Sequence, residues 1–502
     1  MHKGRNIGLR GVILVVTLIF FTVISKGLGL VRETLLAYYY GTTKVVDTFV
    51  LSTSVPTVVF GCLDAVAVTV VPIYVKRKTL YSQKIATKAF NNVVSWTFTI
   101  SLIVFAFTEV FSPFIGRVFV KDNQQLELLI IFLRITLFTV IFNPLAQLYL
   151  TLLRCDDRQI RAQLFELAIS GVQIGFIVLA GVTSNDIFLP LGYLSATVIC
   201  AFLSYITSGN RFKADWECGD AFYESLELVV PAFLGNTIVQ LNAFIDKIFA
   251  SSLVTGMVSS LNYANIIKNL FYALFTAPII NIYYPRITAN ISLNDYDKIR
   301  EELSEVIAFM LMLLVPSTIF CLFYSEEMVK FLFFRGAFNL ESLHTTSAAF
   351  RMYSIGIVSI CLREVLVRCY YSFNKTKEVI MNNIFSVAAN IILNAVLIRY
   401  MKQTGLALAT SLSAIIILPF WIKGVVDENV LSIKSVFFQF FRYTMFSVPI
   451  IVEMMVMKMV FVFPDEVLWQ IVFFGKVIIL AVILYIPAIY MTLIKDKRRI
   501  KK

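Results

Sequence analysis

Three charged residues, Lys26, Arg32 and Glu33, stand inside a stretch that otherwise reads as lipid-facing, GVILVVTLIFFTVI followed by SKGLGLVRETLLAYYYG. A central Arg or Lys in a membrane helix costs roughly 2.5–3.5 kcal/mol on insertion scales, so such residues face a protein interior or a watery cavity. Gly27 and Gly29 mark a weak point in the same helix, and Asp47 opens the next apolar run just across a short turn. The group reads either as the wall of a polar cavity or as structural ion pairing between helices. A cavity lined with Arg and Lys favours an anionic substrate, and phosphate fits best because a guanidinium matches its oxygens bidentately. Further charges inside apolar runs include Asp64, Asp246 and Lys268, while Arg442 and Lys476 lie near span ends where long side chains snorkel to the interface.

The elements that must position these residues are membrane spans. The chain has 502 residues, 58% of them hydrophobic and 15% charged, with a mean hydropathy of +0.80, whereas soluble domains are nearer 45–50% apolar and about 25% charged. Apolar runs of span length recur from end to end, giving an all-α polytopic membrane protein of about fourteen helices. The basic-then-apolar N-terminus reads as an uncleaved first helix, since the apolar character continues past any cleavage site. Assigning alternate loops to alternate sides places most Lys and Arg on the side holding both termini, which predicts a cytoplasmic membrane protein with both ends in the cytoplasm.

The net charge of +12 does not point to nucleic acid. Basic residues gather in short loops and in the C-terminal KDKRRIKK, where they act as topology signals and contacts to anionic lipid. Seven scattered cysteines without CxxC spacing and only two histidines argue against a Cys/His metal site. There is no phosphate loop, no nucleophile elbow and no paired carboxylate in an extramembrane domain, so catalysis is not expected. Glycan polymerases and ligases usually carry a large outside loop, and here the longest spans only residues 324–344.

The chain repeats itself. The segment beginning RITLFTVIFNPLAQLYL at Arg134 lies over RMYSIGIVSICLREVLV at Arg351, GYLSAT at Gly192 over GLALAT at Gly405, and Pro72 over Pro285, all at similar offsets. Residues 1–215 and 216–425 therefore read as two six-helix copies, with 426–502 adding two helices and a basic cytoplasmic tail. An even number of spans per copy keeps the copies parallel, related by an axis along the membrane normal.

The opening motif names a family. Ser25, Lys26, Leu28, Gly29, Arg32, Glu33, Ala37, Gly41, Asp47, Phe49 and Pro56 resemble the start of the MurJ/MviN family of lipid II flippases, within the multidrug/oligosaccharidyl-lipid/polysaccharide flippase superfamily. A second block, PAFLGNTIVQLNAFIDKIFASSLVTGMVSSLNYANIIKNLF, is similar to that family's seventh and eighth helices. The resemblance implies a two-lobed fold and alternating access that carries an undecaprenyl-pyrophosphate-linked glycan to the outer leaflet. It implies that Arg32 faces the pyrophosphate, with Lys26 and Asp47 on the cavity wall, while Glu33 is placed to neutralise part of the charge. The departures are specific. Phe60 stands where the family has an arginine, and Ile266 and Asn269 stand where it has an arginine and a glutamate, leaving Asp64 and Lys268 as the nearest substitutes. A capsule or O-antigen repeat unit on the same carrier is the alternative cargo. A drug/cation antiporter would favour cavity carboxylates, and a scaffold without transport would tolerate loss of Arg32. No cofactor is expected, the partners being the glycan lipid and the surrounding membrane lipids, for a monomer.

The resemblance also implies a coupling ion. Asn390 and Asn394 lie one turn apart on one helix face. With Asp246, Thr410 and the Leu406 carbonyl they are similar to the sodium site of some MurJ-type flippases. Ordinary hydrogen bonding between helices is the competing reading.

Overall fold

The structure is a computed structural model that describes residues 9–490 and Thr492; side chains along parts of these helices, Asp64 among them, lie outside the described residues. Among those residues it is helical throughout, with no strand. Among the described residues nine helical stretches are long and apolar enough to cross a membrane. One of them, Thr376–Val426, is two helices joined at Lys402, where φ is +50°. By packing the chain divides into two units, Met1–Ser259 with Arg335–Phe338, and Ser260–Phe334 with Asn339–Lys502.

The first unit contains α1 (Leu9–Tyr40), α2 (Lys44–Leu80), α3 (Gln83–Val110), α4 (Ser112–Phe119), α5 (Asn123–Leu137), α6 (Thr139–Cys155), α7 (Gln159–Thr183), α8 (Phe188–Ser208) and α9 (Asp220–Ser251). It also holds the start of α10 (Met257–Phe271). Helix α6 organises the core because it is apolar on two faces, the pattern of a helix buried all round. Leu148, Tyr149 and Leu152 pack with Val70 and Tyr74 of α2 and Phe90 of α3. Ala146, Leu150 and Leu153 pack with Ala162 of α7 and Cys200 of α8. Helix α1 lies on α7, and α2 contacts α3, α5, α6 and α9.

Two features close this unit. At the turn after α1, Gly41 adopts φ +58°, and a Cβ there would meet the Ala337 carbonyl oxygen at 2.4 Å. The Tyr38 carbonyl accepts a hydrogen bond from the Ala337 N–H at 2.8 Å, so the 335–338 segment docks against the end of α1 and leaves no room for a side chain on either glycine, since a Cβ on Gly336 would meet Tyr38 O at 2.3 Å. After α8 the irregular linker 209–219 is strapped to α3. Asn92 Nδ2 donates to the carbonyls of Asp215 (3.1 Å) and Glu217 (2.9 Å), Ser95 Oγ accepts from the Asp215 N–H (3.0 Å), and Thr99 Oγ1 accepts from the Trp216 indole (3.1 Å).

The second unit continues α10 through a π-helical turn, Tyr272–Thr276, into α11 (Ala277–Ser292). It then runs through α12 (Tyr296–Phe323), α13 (Ser325–Phe333), α14 (Leu340–Ser354), α15 (Ile357–Ser372), α16 (Thr376–Val426), α17 (Ile433–Phe446), α18 (Val448–Val460) and α19 (Val467–Tyr490). Three apolar runs of this unit are interrupted. Pro278, with no N–H to donate, follows the π turn; Gly356 lets α15 start against the backbone of α16, where a Cβ would lie 2.7 Å from Ser411 Cα; and Pro449 opens α18 after Ser447. The helices expected beyond residue 426 pack within this unit, α17 and α18 on α12 and α19 on α18. The repeat boundary read near residue 215 and the packing boundary at Ser259 mark different things, because α9 opens the second copy in sequence yet lies along α2.

Candidate functional site

Arg32 sits on α1, which packs on α7, one turn before the buried Leu36 on the same face. Its Nε and Nη2 donate to Glu33 Oε1 at 3.0 and 2.5 Å, and its Nη1 donates to Gln173 Oε1 of α7 at 2.6 Å. Glu33 is 7% exposed and Gln173 is buried too, while the Arg32 side chain keeps about a third of its surface, 34%. A guanidinium has five N–H donors. Three are engaged here, so Arg32 is half structural anchor and half open cation, able to offer two donors to an anion.

Asp47, in the first turn of α2, is 2% exposed. Its Oδ2 accepts the Gly256 N–H at 2.6 Å and its Oδ1 the Ser259 N–H at 2.8 Å. It caps the start of α10 from a distance, satisfying N–H groups that have no partner inside that helix. Gly256 holds φ +91°, a conformation L side chains rarely adopt. Lys26 is exposed on α1. The backbone at Asp64 is helical within α2, and its side chain lies outside the described residues.

In the second unit Lys268 lies over the Tyr353 ring, its Nζ 4.8 Å from the centroid. Ile266 is half-buried and Asn269 exposed on the same helix. Asn390 and Asn394, on α16, are buried to 1% and 0% exposure, and Asn394 Nδ2 donates to Asn390 Oδ1 at 2.9 Å. Thr410 Oγ1 donates to the Leu406 carbonyl at 3.2 Å. Asn390, Asn394, Leu406 and Thr410 thus form two local pairs in one unit, and Asp246 lies half-buried on α9 of the other. Among the described residues no group of three or more His, Cys, Asp and Glu side chains is placed to hold a metal ion. Sequence reasoning missed Gln173 and the Asp47 acceptor role. A buried glutamine in the apolar run QIRAQLFELAISGVQIGFIVLA was the only available signal for the first.

A family model described as "Lipid II flippase MurJ" matches residues 36–484. The chain belongs to the MurJ family. Lys26, Arg32 and Glu33 lie just ahead of the matched stretch. A probable lipid II flippase MurJ of Rickettsia prowazekii (strain Madrid E) is 24% identical over 413 residues, 80% of each chain. One of Buchnera aphidicola subsp. Schizaphis graminum is 24% identical over 496 residues, 93% of each. One of Helicobacter pylori (strain J99) is 30% identical over 224 residues, 45% of this chain and 47% of that one. Among solved structures, the inward closed conformation of lipid II flippase MurJ superposes with a TM-score of 0.81 at 22% identity, over 97% of this chain and all of that one. An inward-facing multidrug resistance MATE transporter gives 0.69 at 14% identity over 81% and 96%. Both likenesses show the fold. As a MurJ-family chain this is a multi-pass membrane protein of a transporter family, not of an enzyme family.

Proposed function

We propose that the protein translocates lipid II, the lipid-linked precursor of peptidoglycan, from the cytoplasmic to the outer leaflet of the bacterial cytoplasmic membrane by alternating access. The match of residues 36–484 to the lipid II flippase family carries this reading. The half-exposed Arg32, with two N–H donors in reserve, supports a role in holding the pyrophosphate. Lys26 supplies a second positive charge on the same helix, Glu33 orients the guanidinium, and Lys268 and Asp64 are carried as further candidates. The Lys and Arg asymmetry of the loops supports a cytoplasmic location for both termini.

The coupling ion belongs to the same proposal. A buried Asn pair and a Thr against a helix carbonyl are oxygen donors of the type that hold sodium, and Asp246 would add a formal negative charge. The test uses vesicles reconstituted with the full chain and a fluorescent lipid II whose outer-leaflet fraction is read by a membrane-impermeant quencher. Wild-type protein should flip it, and Arg32→Ala should slow flipping by about 10–100-fold, the loss of one charge-assisted contact. A sodium gradient should accelerate wild-type flipping, with the effect lost in Asp246→Ala and weakened in Asn390→Ala. No flipping of lipid II, with flipping of another polyprenyl-linked glycan, would replace the cargo. Equal rates with and without sodium would remove the ion.

A further inference from the structure

Away from Arg32, the end of the first unit where α2 meets α3 borders an open recess of about 870 Å³. Its floor is made by the buried Tyr74, Phe90 and Leu152. The Tyr74 hydroxyl is fixed between Gln83, whose Nε2 donates to it at 2.7 Å, and Asp156, to which it donates at 3.3 Å. One wall is the first turns of α3 and the other is the linker 209–219. That linker is held in place by the Asn92, Ser95 and Thr99 bonds, joined by Asn210 Nδ2 donating to Asn91 Oδ1 at 2.8 Å. The cavity is therefore shaped by a strapped segment rather than by a free loop.

Its charges are unbalanced. Of the two acids lining it, Asp156 is ion-paired and Asp215 keeps its charge while accepting a backbone N–H. Asp156 takes Lys78 Nζ at 2.6 Å, and Asp215 takes the Glu217 N–H at 3.0 Å. Lys88 is paired with Glu217 at 2.7 Å. Lys84, Arg211 and Lys213 also line the cavity, are exposed, and form no ion pair among the described residues. Three unpaired cations against one unpaired carboxylate, Asp215, leave the recess net positive, which concentrates anions there. The volume falls within the range of small-molecule sites. None of the Arg32 partners lines it.

We propose that this cavity binds an organic phosphate: its phosphate on Lys84, Arg211 and Lys213, and its hydroxylated body over Tyr74 and Phe90. Guanidinium and ammonium groups together suit phosphate oxygens, and Thr87 offers a hydroxyl for the rest of such a ligand. Two sources carry that chemistry, a soluble sugar phosphate and the glycerophosphate headgroup of a membrane lipid. The loops that form the recess are on the side assigned to the cytoplasm, which either source can reach.

The test uses the full chain purified in a neutral detergent. Binding of glycerol 3-phosphate and of glucose 6-phosphate is measured by calorimetry. Retention of phosphatidylglycerol against phosphatidylcholine is measured by native mass spectrometry. Lys84→Gln, Arg211→Gln and Lys213→Gln are combined in one variant. A control removes the same charge from exposed lysines of the second unit, Lys377→Gln, Lys423→Gln and Lys434→Gln. The expected result is that the cavity variant weakens binding by about tenfold or more while the control leaves it unchanged. Binding of the soluble phosphates identifies a solute site, and selective retention of phosphatidylglycerol alone identifies a headgroup site. Equal binding by the two variants, or no binding of any probe by the unaltered protein, would overturn the proposal.

Discussion

At the scale of single residues, Arg32 and Asp47 show how similar settings divide labour. Both are ionisable and sit in or beside apolar helices, yet Arg32 retains a third of its surface and Asp47 almost none. Asp47 has both oxygens on backbone N–H groups, so Asp47→Ala would leave two buried donors without an acceptor and should lower stability by about 2–3 kcal/mol. Thermal unfolding in detergent would read this as a lower melting temperature. Flipping by the protein that remains folded should persist at a permissive temperature. Lost flipping at an unchanged melting temperature would put Asp47 on the substrate path instead. Arg32→Lys keeps the charge but cannot span Glu33 and Gln173 together, so transport should fall, with a smaller loss of melting temperature than Asp47→Ala.

At the scale of elements, helix ends carry much of the polar chemistry. The Asp295 side chain accepts the Lys298 N–H at 3.2 Å and the Lys298 ammonium at 2.6 Å, capping α12. The ammonium, then the N–H, hold its carboxyl below the usual range. A carboxylate with a depressed native pKa contributes stability above its unfolded value and loses it as pH falls through the native one. The melting-temperature gap between wild type and Asp295→Ala should therefore stay constant from pH 8 to about 5 and shrink below about 4. A gap that widened in acid would contradict the cap. Helices were the legible part of this molecule, because apolar runs of span length need no knowledge of partners. The divisions at Gly41 and Gly256 were less legible, because the connections there are very short. The roles of Gln173, Asn91, Asn92 and Ser95 were not legible, since the partner of each lies more than 100 residues away. The π turn before Pro278 was equally hidden, since the helical pattern on either side reads as continuous.

For the whole molecule, cysteine labelling in a cysteine-free background checks the orientation. A probe at Ser82→Cys should be shielded from an impermeant reagent and one at Glu341→Cys labelled; the reverse would invert the topology. The sequence predicted the all-α class and the family. It could not show that the first packing unit draws four residues, Arg335–Phe338, from far downstream. That detail bears on biosynthesis. A ribosome that has released residue 259 has supplied every helix of the first unit but not the segment that closes over Gly41 and hydrogen-bonds Tyr38. Until roughly eighty more residues have emerged, the end of α1 is left with an open seat, a natural place for an insertion chaperone to hold the nascent chain. A gene split after residue 259 should yield a first fragment that inserts yet is degraded quickly, and co-expression of the second fragment should extend its lifetime.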